Sequence, residues 1–139
     1  MNTPAVILTR PQKQALGLLE GLAKIGRDAL VFPMFEIEAI PDTMALDRTL
    51  ARLLDFSLVV FVSPNAVDAA FARMQYLQMT WPTQVALGVM GVASKQALAQ
   101  YGVREDQYTI FSPNDTQRTD SETLFAALDL PALDRKSVV

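Results

Sequence analysis

The sequence has no cysteine and no histidine. Without cysteine there is no disulfide framework, and nothing argues for an oxidising compartment. Without either residue, the usual soft ligands for zinc, copper and iron are missing, and so is the commonest general acid and base. A Ser-His-Asp triad is excluded outright. Neither G-x-x-x-x-G-K-[ST] nor G-x-G-x-x-G occurs, which removes both common phosphate-loop fingerprints. No apolar run approaches the roughly 18 residues that span a bilayer. The opening "MNTPAVILTRP" lacks the charged-then-apolar layout of a secretory signal. These absences predict a cytoplasmic protein with no membrane partner. A formal charge of −3 and a pI near 4.8 argue against a basic face for nucleic acid. An anionic ligand would have to be held by local dipoles and a few Arg or Lys side chains.

What is present is core-forming material. Half of the 139 residues are apolar, 19% are charged and the mean hydropathy is +0.19, values of a globular chain large enough for one core. "PAVILT" (Pro4–Thr9) reads as a strand. Ala15, Leu18, Leu19, Leu22 and Ile25 then recur at helical spacing, and Gly26 is well placed to stop the helix. Ala29–Phe32 reads as a buried strand. Phe35, Ile37 and Ala39 alternate with Glu36 and Glu38, which predicts a strand wet on one side, leaving the main sheet between Pro33 and Pro41. Asp42 can cap a helix carrying Leu46, Leu50, Leu53 and Leu54.

Strand–turn–helix units follow: "SLVVFV" and "SPN" before the helix of Val67, Phe71, Met74 and Leu77; "VALGVM" (Val85–Met90) and "GVAS" before a helix ending at Gly102; "YTIF" (Tyr108–Phe111) and "SPNDTQRTD" before "SETLFAALDL". Strands alternating with helices predict a parallel sheet covered on both faces: α/β, three-layered and flavodoxin-like. "DRKSVV" starts one more strand at the end of the chain, so the reading is of a piece of a longer protein.

In such sheets ligands bind beyond the carboxyl ends of the strands, where helices begin with unpaired N–H groups and a positive dipole end. Three helix starts fall on that edge: Ser63-Pro64-Asn65, Gly91-Val92-Ala93-Ser94 and Thr119-Asp120-Ser121-Glu122. Ser63 suits the N-cap and Pro64 the first helical position, leaving the Asn65 and Ala66 amides for a ligand. Gly91 allows close backbone approach, and Ser94 adds a hydroxyl. Ser121 or Asp120 caps the last helix, and Glu122 complements its dipole while competing with an outside anion. Each turn is equally well explained as ordinary capping; their alignment on one edge is what favours a site. Arg10, after the first strand, is either an anion clamp or a solvated side chain. Tyr76, Tyr101 and Tyr108 read as packing residues, and Glu36 and Glu38 as a solvated edge.

Five segments in order, "VILTRP", "FPMFEIEAIP", "VVFVSPNAV", "GVMGVASKQAL…YGV" and "DSETLFAAL", resemble the bacterial uroporphyrinogen-III synthase family over residues 6 to 139. The resemblance covers about the first half of the family's usual length. It implies two α/β domains joined by a two-stranded connector, with the active site in the cleft between them. Residues 1–34 would then supply the first strand and helix of domain one, 35–40 the outgoing connector strand, and 41–139 most of domain two. The implied reaction is cofactor-independent closure of hydroxymethylbilane, an octacarboxylate, to uroporphyrinogen III with the last ring inverted. Water is lost to give an azafulvene, and a spiro intermediate follows. By matching motif, Ser63, Pro64, Asn65, Ala66 and Val67 would face the substrate. Gly91, Val92, Ala93 and Ser94 would do the same, Ser94 standing where the family usually has Thr and Val92 where Pro or Asn is commoner. Ser63 and Ser94 are the catalytic candidates. Thr9 and Arg10 would lie at the domain-one edge, and Ser121 and Glu122 at a helix start near the substrate. The complete protein would be a monomer, and the present chain would self-associate through its unfinished sheet edge.

The alternative is a non-catalytic α/β module that binds anions or a partner. Its receiver variant needs clustered acids at strand ends for magnesium. The strand ends here read Thr9, Val62-Ser63 and Met90-Gly91, which disfavours it.

Overall fold

Parallel pairing of short β-branched strands, each followed by a helix, organises everything in the computed structural model. It describes residues 4–113, 118, 120–129, 131, 133, 137 and 138. The chain divides into two units, Met1–Pro41 and Asp42–Val139.

The first unit is one strand–helix–strand motif. Strand β1 (Val6–Leu8) pairs in parallel with β2 (Ala29–Val31), Ile7 lying opposite Leu30. Helix α1 (Gln12–Lys24) connects them. It buries Ala15, and Leu8 is buried on the sheet, whereas Ile7 and Leu30 share the opposite, exposed face. The helix ends where the spacing predicts. Gly26 has φ +70°, its N–H bonds to the Ala23 carbonyl at 3.0 Å, and the Arg27 N–H bonds to that of Leu22 at 2.9 Å. This paired arrangement needs a left-handed residue, and glycine takes it without a Cβ clash.

Two expectations for this unit are corrected. Ala29–Phe32 is not a buried strand: β2 stops at Val31 and Phe32 is 61% exposed. Among the described residues of the unit, α1 is the single helix, and Ile7 and Leu30 on the other sheet face are exposed. Phe35–Ile40, predicted to be a strand from its alternation, has no regular structure. Alternation provides two faces, but a strand also needs a neighbour to accept its ladder bonds, and no described segment pairs with it.

The second unit holds a four-stranded, all-parallel sheet in the order β5-β4-β3-β6, made of β3 (Phe56–Phe61), β4 (Ala86–Val89), β5 (Ile110–Phe111) and β6 (Ser137–Val138). The helices are α2 (Met44–Ala51), α3 (Pro64–Tyr76), α4 (Val92–Gln100) and α5 (Ser121–Ala127). The β3–β4 register, Val59 opposite Leu87 and Phe61 opposite Val89, sends one set of side chains to one face. There they join Leu50 of α2, Val67, Phe71 and Met74 of α3, and Ala97 and Leu98 of α4 in the main core. Leu58, Val60, Ala86 and Gly88 point to the other face, toward Leu124 of α5; a methyl group added at Gly88 would lie 3.1 Å from Val60 Cγ2 and 3.7 Å from Leu124 Cδ2. Helices therefore pack on both faces, as a three-layer α/β fold requires.

Trp81 closes the core at the amino end of the sheet, stacking on Phe71 at 5.4 Å with its indole N–H donated to the Val85 carbonyl at 2.8 Å. Asp47 of α2 accepts two bonds from the Arg73 guanidinium of α3, at 2.7 and 2.8 Å, and the same guanidinium lies 4.6 Å from the centre of the Tyr76 ring. Asp42 caps α2 from one residue outside the N-cap, its Oδ1 accepting the Met44 N–H at 2.9 Å, while Thr43 occupies the cap position itself.

Candidate functional site at the carboxyl edge of the sheet

Because Phe61 lies opposite Val89, Ser63 and Gly91 each stand two residues past the same rung of the ladder. Neighbouring strands are about 4.8 Å apart, so the two turns open side by side at one edge. Gly88 opposite Phe111 brings Ser112 and Pro113 to that edge as well. The register thus aligns two of the three helix starts that the sequence singles out, those of α3 and α4; it does not fix the place of the α5 start. Their chemistry differs sharply.

The α3 start is already satisfied. Ser63 is the N-cap, in extended backbone, with Pro64 at the first helical position. Its Oγ accepts the Ala66 N–H at 3.2 Å, and its carbonyl accepts the N–H groups of Ala66 and Val67 at 3.1 and 3.3 Å. This corrects the expectation that Ala66 offers a spare amide. Asn65 is half-buried and engaged in an interaction of its own. Val67 is 0% exposed, a core residue and not a contact for a ligand in this unit. The reason is helical geometry: the fourth residue after the cap turns back onto the sheet.

The α4 start is open. Gly91 is its N-cap and brings no side chain to it. The first helical bond is Lys95 N–H to the Gly91 carbonyl at 3.1 Å, so the amides of Val92, Ala93 and Ser94 come before the helical ladder begins. Val92 and Ala93 are exposed. Ser94 is not: only 3% of the residue is accessible, which corrects its reading as a surface hydroxyl. As the third helical residue it lies on the side of α4 turned toward the core, as do Ala97 and Leu98 one turn later.

The α5 start is filled by the chain's own carboxylates. Asp120 is the N-cap: its Oδ1 accepts the Thr123 N–H at 2.8 Å, and in return the Thr123 hydroxyl oxygen accepts the Asp120 N–H at 3.2 Å. The two bonds that Thr123 makes to the carboxylate, from its backbone N–H first and then from its hydroxyl, hold the Asp120 carboxyl below the usual carboxylate range. Arg118 lies 3.1 Å from Asp120 and 4.0 Å from Glu122. Ser121 and Glu122 are exposed, but a carboxylate standing in the first turn repels an incoming anion. Thr119 lies outside the described residues.

Thr9 and Arg10 belong to the first unit, where both are exposed at the end of β1. Sequence reasoning missed a neighbour of theirs: the Gln12 N–H at the α1 start points to Glu36 Oε1 at 3.5 Å. It also missed Val62, 72% exposed, which together with the expected contact Val92, 60% exposed, flanks the turns of the second unit as an apolar lip. The signal was available, since both valines stand just outside the paired strands. Tyr101 and Tyr108 pack against the core as expected. Burial, followed by the charge and hydrogen bond of Asp68, pushes the Tyr101 hydroxyl above its ordinary range. Among the described residues no three acidic side chains gather as a metal cluster, and no helix is long and apolar enough to cross a membrane.

Residues 17–139 match the family model described as "Uroporphyrinogen-III synthase HemD". The chain belongs to the uroporphyrinogen-III synthase HemD family. The match starts inside α1 and takes in both turns of the carboxyl edge, while Thr9 and Arg10 precede it. Among curated relatives, the chain is similar to a uroporphyrinogen-III synthase of Salmonella typhimurium, with 30% identity over 129 residues, 93% of this chain and 49% of that protein. The one from Proteus mirabilis is 25% identical over 135 residues, covering 97% of this chain and 65% of its own length. A third, from Synechococcus elongatus, is 28% identical over 102 residues, covering 73% and 39%. The chain thus spans between 39% and 65% of the curated relatives it matches. The parallel α/β architecture is consistent with the HemD domain fold.

Proposed function

We propose that the complete protein is a uroporphyrinogen-III synthase, converting hydroxymethylbilane to uroporphyrinogen III in the cytoplasm, and that residues 41–139 supply one wall of its substrate site. The family match over residues 17–139 carries this reading. In the same reading residues 1–34 begin a first domain, 35–40 lead out of it, and the complete protein acts as a monomer without a cofactor.

The substrate consists of apolar pyrrole rings bearing carboxylates. The open α4 start suits a carboxylate, and Val62 and Val92 suit the rings beside it. The self-capped α3 start and the carboxylate-filled α5 start do not, so this unit contributes one helix-start anion contact. Each such contact is worth about 0.3–1 kcal/mol when exposed, and up to about 2 kcal/mol when partly buried. The chemistry asks for shaping more than for acid–base side chains. Water leaves the hydroxymethyl carbon, which bonds to the already substituted α-carbon of the last ring to give a spiro intermediate. That α-carbon then breaks its bond to the old bridging methylene. The freed methylene recloses on the ring's other α-carbon, which loses its proton, so that the ring is inverted. The protein's part is to hold the tetrapyrrole folded while water is kept from the azafulvene.

The test is an assay of the full-length protein containing this sequence, with separation of type III from type I product. A strong excess of type III is expected. Saturable binding of the bilane with no type III product would instead favour the non-catalytic anion-binding module.

A further inference from the structure

We draw no further inference here: the strongest candidate, the aromatic-walled hollow of about 230 Å³ beyond the carboxyl-terminal ends of α3 and α4, is formed by rings already stacked on one another, and nothing in the structure shows what would fill it.

Discussion

At the scale of single residues, the carboxyl edge separates side chains that hold the fold from backbone that can hold a ligand. The Ser63 hydroxyl is spent on the Ala66 amide. Ser63→Ala should therefore lower stability by about 1 kcal/mol, as loss of a serine cap does, and leave the Michaelis constant of the full-length enzyme near its original value. Thermal denaturation combined with steady-state kinetics separates the two effects. A large rise in KM at unchanged Tm would return the hydroxyl to the substrate. The complementary substitution is Val92→Asp. It puts a carboxylate at the open α4 start, where it favours the helix dipole but excludes an incoming anion. Stability should hold or rise slightly while KM increases several-fold, on the order of 3- to 10-fold for about 0.7–1.4 kcal/mol of lost interaction.

A third residue-scale outcome concerns acid. Arg73 holds the Asp47 carboxyl below its ordinary value of 3.8, first by its hydrogen bond and then by its charge. A carboxyl depressed in the folded state stabilises above its unfolded pKa, and that contribution is lost as pH falls through the folded one. The pair's share of stability should thus be intact near neutrality and fade below about pH 4. Asp47→Asn should lower the neutral-pH Tm and flatten the acid limb of the Tm–pH curve; an unchanged acid limb would remove the pair from the account.

At the scale of elements, one device ends three helices. After α1, α3 and α4 the chain makes the same two backward N–H bonds, around Gly26, Gln78 and Gly102. All three residues have positive φ, 70°, 56° and 78°. Glycine adopts this conformation freely, whereas a glutamine does not. Gln78→Gly should stabilise the second unit by up to about 1 kcal/mol, and Gly102→Ala should cost about as much, both readable from urea midpoints at constant slope. Apolar spacing made α1, α3 and α4 legible, and Ser63 and Gly91 marked where two of them begin. The alternating Phe35–Ile40 segment was read as a strand and is not one. A period of two reports which side chains could share a face, but the backbone bonds that make a strand come from a neighbour.

At the scale of the whole molecule, the first unit exposes Ile7, Leu30, Phe32, Met34, Phe35 and Ile37. So much accessible apolar surface on one strand–helix–strand motif favours association. The isolated 139-residue chain should show a light-scattering mass that rises with concentration, and a constant monomer mass across the range would contradict this. The family was legible because its motifs lie in the turns and strand ends of one continuous stretch. Which turn is open was not legible.

The linear sequence determined the secondary-structure rhythm, the parallel α/β class and the positions of the helix starts, because local spacing, capping residues and turn residues act over a few neighbours. It also determined that no histidine or cysteine of this chain takes part in its chemistry, since the sequence has neither. Tertiary structure decided the rest. Pairing Phe61 with Val89 brought the Ser63 and Gly91 turns onto one edge. Packing on the sheet turned Val67 and Ser94 inward, and hydrogen bonds closed the α3 and α5 starts with the chain's own oxygens while leaving that of α4 without a side-chain cap. Whether an amide is available depends on what else lies within about 3 Å of it, and that is a property of three-dimensional packing.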